Sequence, residues 1–408
     1  MLECFIGAIM DKKRNVFWIG VTSFFTDVSS EMILALLPLF LASLGVSRAM
    51  IGLIEGIAEF VASIFKVVSG WVSDRLQSRK GIVVAGYALS TAVKPLIALA
   101  NTWYQVLSVR FVDRIGKGIR SAPRDALIAD SVEFHERGKA FGFQRGMDTF
   151  GAVVGTLIAS LLLFVLGTYT SLSLVAQYRT IFWLSLIPGI FAVLTFAFLV
   201  RDVRSKEFNN SKAVGSVGTL NPAFKAFLLI SMIFELSNFS YAIYILRASS
   251  LGVIAALIPI IYLLYNIIYS LLAQPLGVLA DKVGKKQVLF SGYFIASVMC
   301  LGFALADKSI YAWLLFAIYG VVSAITNTVP RALLADLVNP EMRGTAYGVY
   351  YMLIGFVALP ASAIAGLLWD QLGPFVAFSY GSGLAMLAAL LVIAIIPGKK
   401  SFAVQQLH

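Results

Sequence analysis

The sequence predicts an all-α integral membrane protein of twelve transmembrane helices, built as two parallel copies of a six-helix bundle. Three observations carry the prediction. The 408 residues are 59% apolar and only 13% charged, with a mean hydropathy of +0.87, whereas a soluble domain runs about half apolar and a quarter charged. Apolar runs of spanning length recur along the whole chain. Charged and glycine-bearing motifs repeat at an offset close to half of it.

Shared over twelve spans, the chain offers 34 residues to each, enough for about 20 apolar residues and a short loop. Apolar runs bounded by charge, Gly and Pro place helices near 15–45, 48–73, 81–100, 103–127, 138–167 and 177–200. A second set falls near 222–248, 253–280, 286–306, 310–337, 343–371 and 374–397. Several exceed 25 residues, which calls for tilt. The longest polar stretch, 201–221, leaves no room for a soluble domain, so a soluble enzyme, a DNA-binding protein and a secreted disulfide scaffold are excluded. Cys4 and Cys300 lie far apart without metal-ligand spacing, and His135 and His408 are the only histidines; neither a disulfide nor a metal site is expected. The opening MLECFIGAIMDKKR carries its charges after an apolar patch, the reverse of a signal peptide. The first span is therefore expected to direct insertion.

Lys and Arg sort sharply between the loops. Twenty fall on the side of the N-terminus, among them Lys12, Lys13, Arg14, Arg79, Lys80, Arg201 and Lys399, against Arg48, Arg179, Arg247 and Lys308 on the other. The positive-inside rule then puts both termini and the central loop in the cytoplasm of a multi-pass protein of the cell membrane. The +11 net charge is thus mostly a topology signal and not a nucleic-acid surface.

The repeat is explicit. Gly277-Val-Leu-Ala-Asp281-Lys282-Val-Gly284-Lys285-Lys286 echoes Gly70-Trp-Val-Ser-Asp74-Arg75-Leu-Gln77-Ser78-Arg79-Lys80, with Asp74 and Asp281 separated by 207 residues. Pro123-Arg124 returns as Pro330-Arg331, and Arg137-Gly138-Lys-Ala140-Phe-Gly142 as Arg343-Gly344-Thr-Ala346-Tyr-Gly348. One offset for three motifs means a duplicated six-helix unit. Six is even, so both copies face the same way, as a parallel repeat about an axis along the membrane normal. The expected organisation is a bundle over 1–200, a cytoplasmic linker over 201–221 and a bundle over 222–408.

These motifs resemble those of major facilitator superfamily transporters along essentially the whole chain. The G-x-x-x-D-[RK]-x-G-[RK]-[RK] signature between helices 2 and 3 is matched in full by 277–286; the first copy has Gln77 and Ser78 where the family has Gly and a basic residue. Arg110-Phe-Val-Asp113-Arg114-Ile-Gly116-Lys117-Gly118 is similar to the family's Arg-and-glycine motif on helix 4. Phe25-Thr-Asp27-Val-Ser-Ser-Glu31-Met32 and the run from Asp113 to Asp125 resemble a prokaryotic branch with no defined substrate. The resemblance implies two bundles rocking around a central site lined by helices 1, 4, 7 and 10. It also implies a gating role for Gly70, Asp74, Arg75 and Arg79 and for Gly277, Asp281, Lys282 and Gly284, which would latch the outward-facing state and stay clear of substrate.

Eight basic residues remain inside helices, where each costs about 2.5–3.5 kcal/mol on the insertion scale if it faces lipid. On helix 4, Arg110, Asp113, Arg114, Lys117, Arg120 and Arg124 fall within an arc of about 120°, so that stripe must face water or opposing acids. Arg120 and Arg124, nearer the cytoplasm, could instead snorkel to headgroups or meet Asp125 and Asp130. Opposing acids exist: Asp27 and Glu31 on helix 1, Glu55 and Glu59 beside Lys66 on helix 2, and Asp148 beside Arg145 on helix 5. At about 1.5 Å per residue, Asp27, Glu59, Arg114 and Asp148 reach a similar depth near the midplane. A static salt-bridge cluster is the alternative, yet buried pairs gain little stability because desolvation offsets the Coulomb term, which favours a functional network. The second half offers Glu235 with Asn238 on helix 7 and a series of tyrosines, including Tyr244, Tyr265 and Tyr319. Such aromatic stripes more often pack than bind, though a charged half and an aromatic half together suit an amphipathic solute with an anionic group.

Carboxylates beside cations near the midplane are what proton coupling needs, because a carboxylate parted from its cation in a dry site takes up a proton. Asp27 and Glu31 come first for that role, then Glu59 and Asp113. The Glu55/Glu59 pair leaves sodium as the alternative coupling ion. No other cofactor is expected, and no P-loop occurs that would drive an ATP-dependent pump. The antiporter motif of helix 5 is incomplete, since Gly151-Ala-Val-Val-Gly155 is followed by Thr156; those glycines serve equally as close helix packing. The expected function is therefore not enzymatic. It is secondary active transport by a monomer of a small organic solute, anionic or amphipathic, driven by protons. A multidrug efflux antiporter and a lysolipid flippase are the alternatives, with a non-transporting sensor last.

Overall fold

The computed structural model describes residues 2–76, 79–132, 137–202, 222–338 and 343–396, and every regular element among them is helical. In chain order these are α1 (Leu2–Leu34), α2 (Leu37–Ser43), α3 (Arg48–Leu76), α4 (Lys80–Val93) with a 3₁₀ extension (Lys94–Leu99), α5 (Trp103–Asp130), α6 (Arg137–Tyr169), α7 (Leu174–Leu184) and α8 (Leu186–Leu199). There follow α9 (Pro222–Ser237), α10 (Tyr241–Ser250), α11 (Ile258–Val283), α12 (Lys285–Leu305), α13 (Ser309–Leu337), α14 (Arg343–Leu372) and α15 (Pro374–Ile395). Pairing α1 with α2, α7 with α8 and α9 with α10 gives twelve spans. Ten are long and apolar enough to cross a membrane by length and composition; the two long helices outside that set, α3 and α5, are the ones interrupted by charge. The linker charges Arg204, Lys206 and Lys212, with Gln77, Ser78, His135, Lys399 and Lys400, lie outside the described residues.

Four spans expected as single helices are broken. Pro38 and Pro188 each lack an N–H and crowd the carbonyl four residues back, which is where α1 ends at Leu34 and α7 ends at Leu184. Pro95 likewise turns the end of the third span into a 3₁₀ helix at Lys94. The seventh span breaks over 238–240 without proline. There Ser237 Oγ donates to the Phe234 carbonyl at 2.6 Å, Ser240 Oγ accepts from the Ala242 N–H at 3.3 Å, and the Ser240 N–H donates to Ser362 Oγ at 2.7 Å. Short polar side chains thus take over bonds the helix would otherwise make.

The chain packs as two compact units. One gathers residues 2–45, 57–202 and 255–263; the other gathers 46–56, 222–254 and 264–396. In the first, α6 lies against α1 through glycine: a β-carbon on Gly155 would sit 2.6 Å from the Val28 carbonyl oxygen, and one on Gly151 would overlap that of Phe24. The packing reading of Gly151 and Gly155 is therefore the observed one. Gly155→Leu should part these two helices and cost about 2–3 kcal/mol, read as lost thermal stability in detergent. Also in this unit, Gly116 of α5 meets Gly86 of α4 (2.8 Å from a built β-carbon to the Gly86 oxygen), and Gly118 meets Phe65 and Ala62 of α3. α5 is thereby held at backbone distance from both neighbours. The Asn15 amide exchanges two 2.9 Å hydrogen bonds with the Arg201 backbone, joining the first span to the end of the sixth.

In the second unit the start of α3 lies on α14. Gly52 meets the Ser362 carbonyl and Gly56 that of Leu359, while Asp370 pairs with Arg48 at 3.1 Å and accepts from the Ala49 N–H at 3.0 Å. Arg48 also sits over the Trp369 ring, 4.8 Å from its centre. Arg247 closes the far end of α12, donating to the carbonyls of Phe303 (3.0 Å) and Ala306 (2.6 Å).

Candidate functional site

The glycine seams fix what α5 presents to its neighbours. Arg110, Asp113, Arg114 and Arg120 are all buried, Arg110 to 2% exposure, so the stripe turns into the first unit and away from lipid. With Gly116 against Gly86, Ser90 of α4 reaches Asp113 and donates a short hydrogen bond to Oδ1, while Arg110 Nη1 lies 3.6 Å from Oδ2. With Gly118 against Ala62 and Phe65, Arg114 Nη2 comes within 3.4 Å of Glu59 Oε1. The two partners differ in setting: the Arg114 side chain is 4% exposed and that of Glu59 52%. A carboxylate so open in mid-span, on a buried guanidinium, belongs to a water-accessible face and not to a sealed core.

The first span supplies the facing acids. Among the described residues neither Asp27 nor Glu31 has an ion-pair partner within 4.0 Å, and Glu31 Oε2 is buried without a hydrogen bond. On α6, Asp148 accepts two 2.8 Å bonds from the Gln144 amide and lies 3.6 Å from Arg145, and the same amide donates to Ser23 Oγ at 2.9 Å. Asp27, Glu31, Glu59, Arg110, Asp113, Arg114, Lys117, Arg145 and Asp148 thus all sit in one unit. Glu55 is 3% exposed and lies in 46–56, a segment grouped with the second unit.

Two side chains depart from expectation. Arg124 pairs with Asp125 at 2.8 Å, but Arg120 has no ion pair among the described residues; its guanidinium lies 4.7 Å from the centre of the Tyr87 ring and the residue is 6% exposed. Asp130 pairs instead with Arg79. Lys94 is the residue sequence reading passed over. It is 5% exposed, and its ammonium donates to Ser30 Oγ at 2.8 Å. It stands alone in an apolar span, off any charged stripe, and only the tally of eight intrahelical cations pointed to it.

In the second unit Asn238 donates to Glu235 Oε2 at 3.2 Å beside the break in the seventh span. Tyr265 stacks on Tyr319 (4.4 Å) and Tyr244 on Tyr319 (4.6 Å); Tyr244 and Tyr319 are buried, so these two pack rather than line a surface.

The repeated motif for which the resemblance implies gating is visible in part. At Gly70, Asp74 and Arg75 only the helical backbone is described. The Asp202 carboxylate accepts from the Arg79 and Lys80 N–H groups, each at 3.3 Å, capping α4. In the second copy, Lys285 bridges Asp281 (3.8 Å) and Asp336 (2.7 Å), Lys282 is exposed, and Gly284 has φ +125°. Gly284→Ala should cost about 1–3 kcal/mol through that backbone angle, measurable as a lowered melting temperature.

The family model of the Major Facilitator Superfamily matches residues 19–246 and 225–407. An uncharacterised MFS-type transporter of Methanocaldococcus jannaschii is 40% identical over 393 residues, 94% of this chain and 95% of its own. A probable 4-methylmuconolactone transporter of Cupriavidus pinatubonensis is 27% identical over 180 residues, 44% of this chain and 40% of that one. Among solved structures, the nucleoside transporter NupG superposes with a TM-score of 0.77 at 16% identity, covering 94% of this chain and all of the other.

Proposed function

The chain belongs to the major facilitator superfamily of membrane transporters, and from that premise we propose that it is a proton-coupled carrier of a small organic anion, working by alternating access in the cell membrane with both termini cytoplasmic. The observation that carries this reading is the buried Arg114 guanidinium beside an open Glu59, in the same unit as Asp27 and Glu31, which have no ion-pair partner within 4.0 Å among the described residues. A guanidinium in a dry site is a fork for a carboxylate, and its loose contact with Glu59 is one an arriving anion can replace. Unpaired carboxylates in the same unit are the groups that can take up protons as the site closes and dries. The partial likeness to a probable lactone transporter supports a small organic solute.

The test is uptake into proteoliposomes by purified full-length protein, with an inward proton gradient, of organic acids that raise its melting temperature in a thermal-shift screen. Accumulation that collapses with a protonophore is expected; flux indifferent to the gradient would remove the coupling, and stabilisation by organic cations alone would remove the anion.

A further inference from the structure

The corner of the first unit where the sixth span ends beside the first holds a second candidate site, about 20 Å along α1 from Asp27. Val16 and Ile19 of α1 and Phe196 and Val200 of the sixth span are buried in one apolar cluster, which holds the two spans side by side. Asn15 completes the joint: it is buried, and its amide is bonded to the Arg201 main chain. The residues next to these anchors turn outward. Arg14 and Arg201 are exposed, and with Asn15, Phe198 and Leu199 they line one cleft. Two guanidiniums on one cleft supply the planar, multiply donating edges that a phosphate accepts from.

Phe198, which lines the cleft, is also the head of an apolar stripe. Ile187, Phe191, Leu194 and Phe198 of α8 are all exposed at helix spacing, Phe198 to 78%. At about 1.5 Å per residue the stripe runs about 16 Å down the sixth span, half of the ~30 Å hydrocarbon core and so the depth of one leaflet. A pair of cations at the head of a leaflet-long apolar stripe matches an anion carried on an acyl chain. We propose that this corner binds one anionic phospholipid, with its phosphate between Arg14 and Arg201 and a chain along the α8 stripe. The topology proposed above sets this end of the bundle in the cytoplasmic leaflet, where anionic headgroups draw basic clusters. The bound lipid adds a second tie across the joint that Asn15 makes, whatever solute and coupling ion the carrier uses.

The experiment titrates delipidated full-length protein in detergent with phosphatidylglycerol or with phosphatidylcholine of the same chains. Binding is read by native mass spectrometry and the melting temperature is followed beside it. Phosphatidylglycerol should bind ten-fold or more tightly than phosphatidylcholine and raise the melting temperature. The Arg14→Gln/Arg201→Gln double variant should lose that preference while keeping the Asn15 joint, which uses only the main chain of residue 201. Each single variant should lose three-fold or more, which keeps the test open if the double variant does not fold. Phe198→Ser, with both arginines in place, should also lose three-fold or more, whereas Lys308→Gln, at an exposed cation of the second unit, should change nothing. Equal binding of the two lipids, a preference that survives in the folded arginine variants, or unchanged affinity in Phe198→Ser overturns the proposal. Displacement of the lipid by an equal concentration of glycerol 1-phosphate also overturns it, making the cleft a site for soluble phosphate.

Discussion

Arg114→Ala is expected to lower counterflow of the bound anion by two orders of magnitude or more, with the protein still folded in the membrane. The guanidinium is 4% exposed and its carboxylate partner 52%. Removing the cation therefore leaves Glu59 facing water, not stranded in a dry core, and the stability cost stays below the roughly 3–5 kcal/mol of a broken buried pair. What is lost is the planar fork, and Arg114→Lys, which keeps the charge without the fork, should recover only part of the rate. Glu59→Gln gives the contrast: it frees Arg114 and should tighten or preserve anion binding. Proteoliposome counterflow, read beside the melting temperature of each variant, separates transport from folding. Normal counterflow by Arg114→Ala would make the pair a structural tie and nothing more.

Asp27→Asn and Glu31→Gln should give the second large effect, and a different one. Both variants keep the shape and hydrogen-bonding capacity of the acid and remove its proton chemistry. Exchange of labelled for unlabelled anion across the membrane should persist, while accumulation against a gradient falls ten-fold or more. Neither acid holds an ion pair among the described residues, so neither substitution strands a partner cation there. Loss of exchange together with accumulation would place these carboxylates in substrate binding instead.

Much of this was readable from residue spacing, and the exceptions have physical causes. The stripe from Arg110 to Arg124 was legible because a helix places residues three and four apart on one face, and lipid forbids that face to so many charges. The same logic located Asp27, Glu31 and the Arg145–Asp148 pair. Contacts across helices were not legible. That Asp113 meets Ser90 and Arg120 meets Tyr87 depends on how closely α4 approaches α5, which Gly86 and Gly116 set without announcing it in any periodic pattern. Lys94 escaped for the opposite reason, as a single charge in an apolar run. The helix breaks at Pro38, Pro95 and Pro188 follow from local chemistry, whereas the break at 238–240 draws on Ser362, distant in sequence.

The claim on which the rest depends is that the first unit's charged layer takes up protons as it takes up an anion. The direct measurement is internal pH, followed with a trapped dye in sealed proteoliposomes, when the thermally stabilising anion is added outside with no pH gradient imposed. Acidification of the lumen in step with anion entry, absent in the Asp27→Asn/Glu31→Gln double variant, is the predicted result. Anion entry with no change in internal pH, or the same acidification in the double variant, would contradict it.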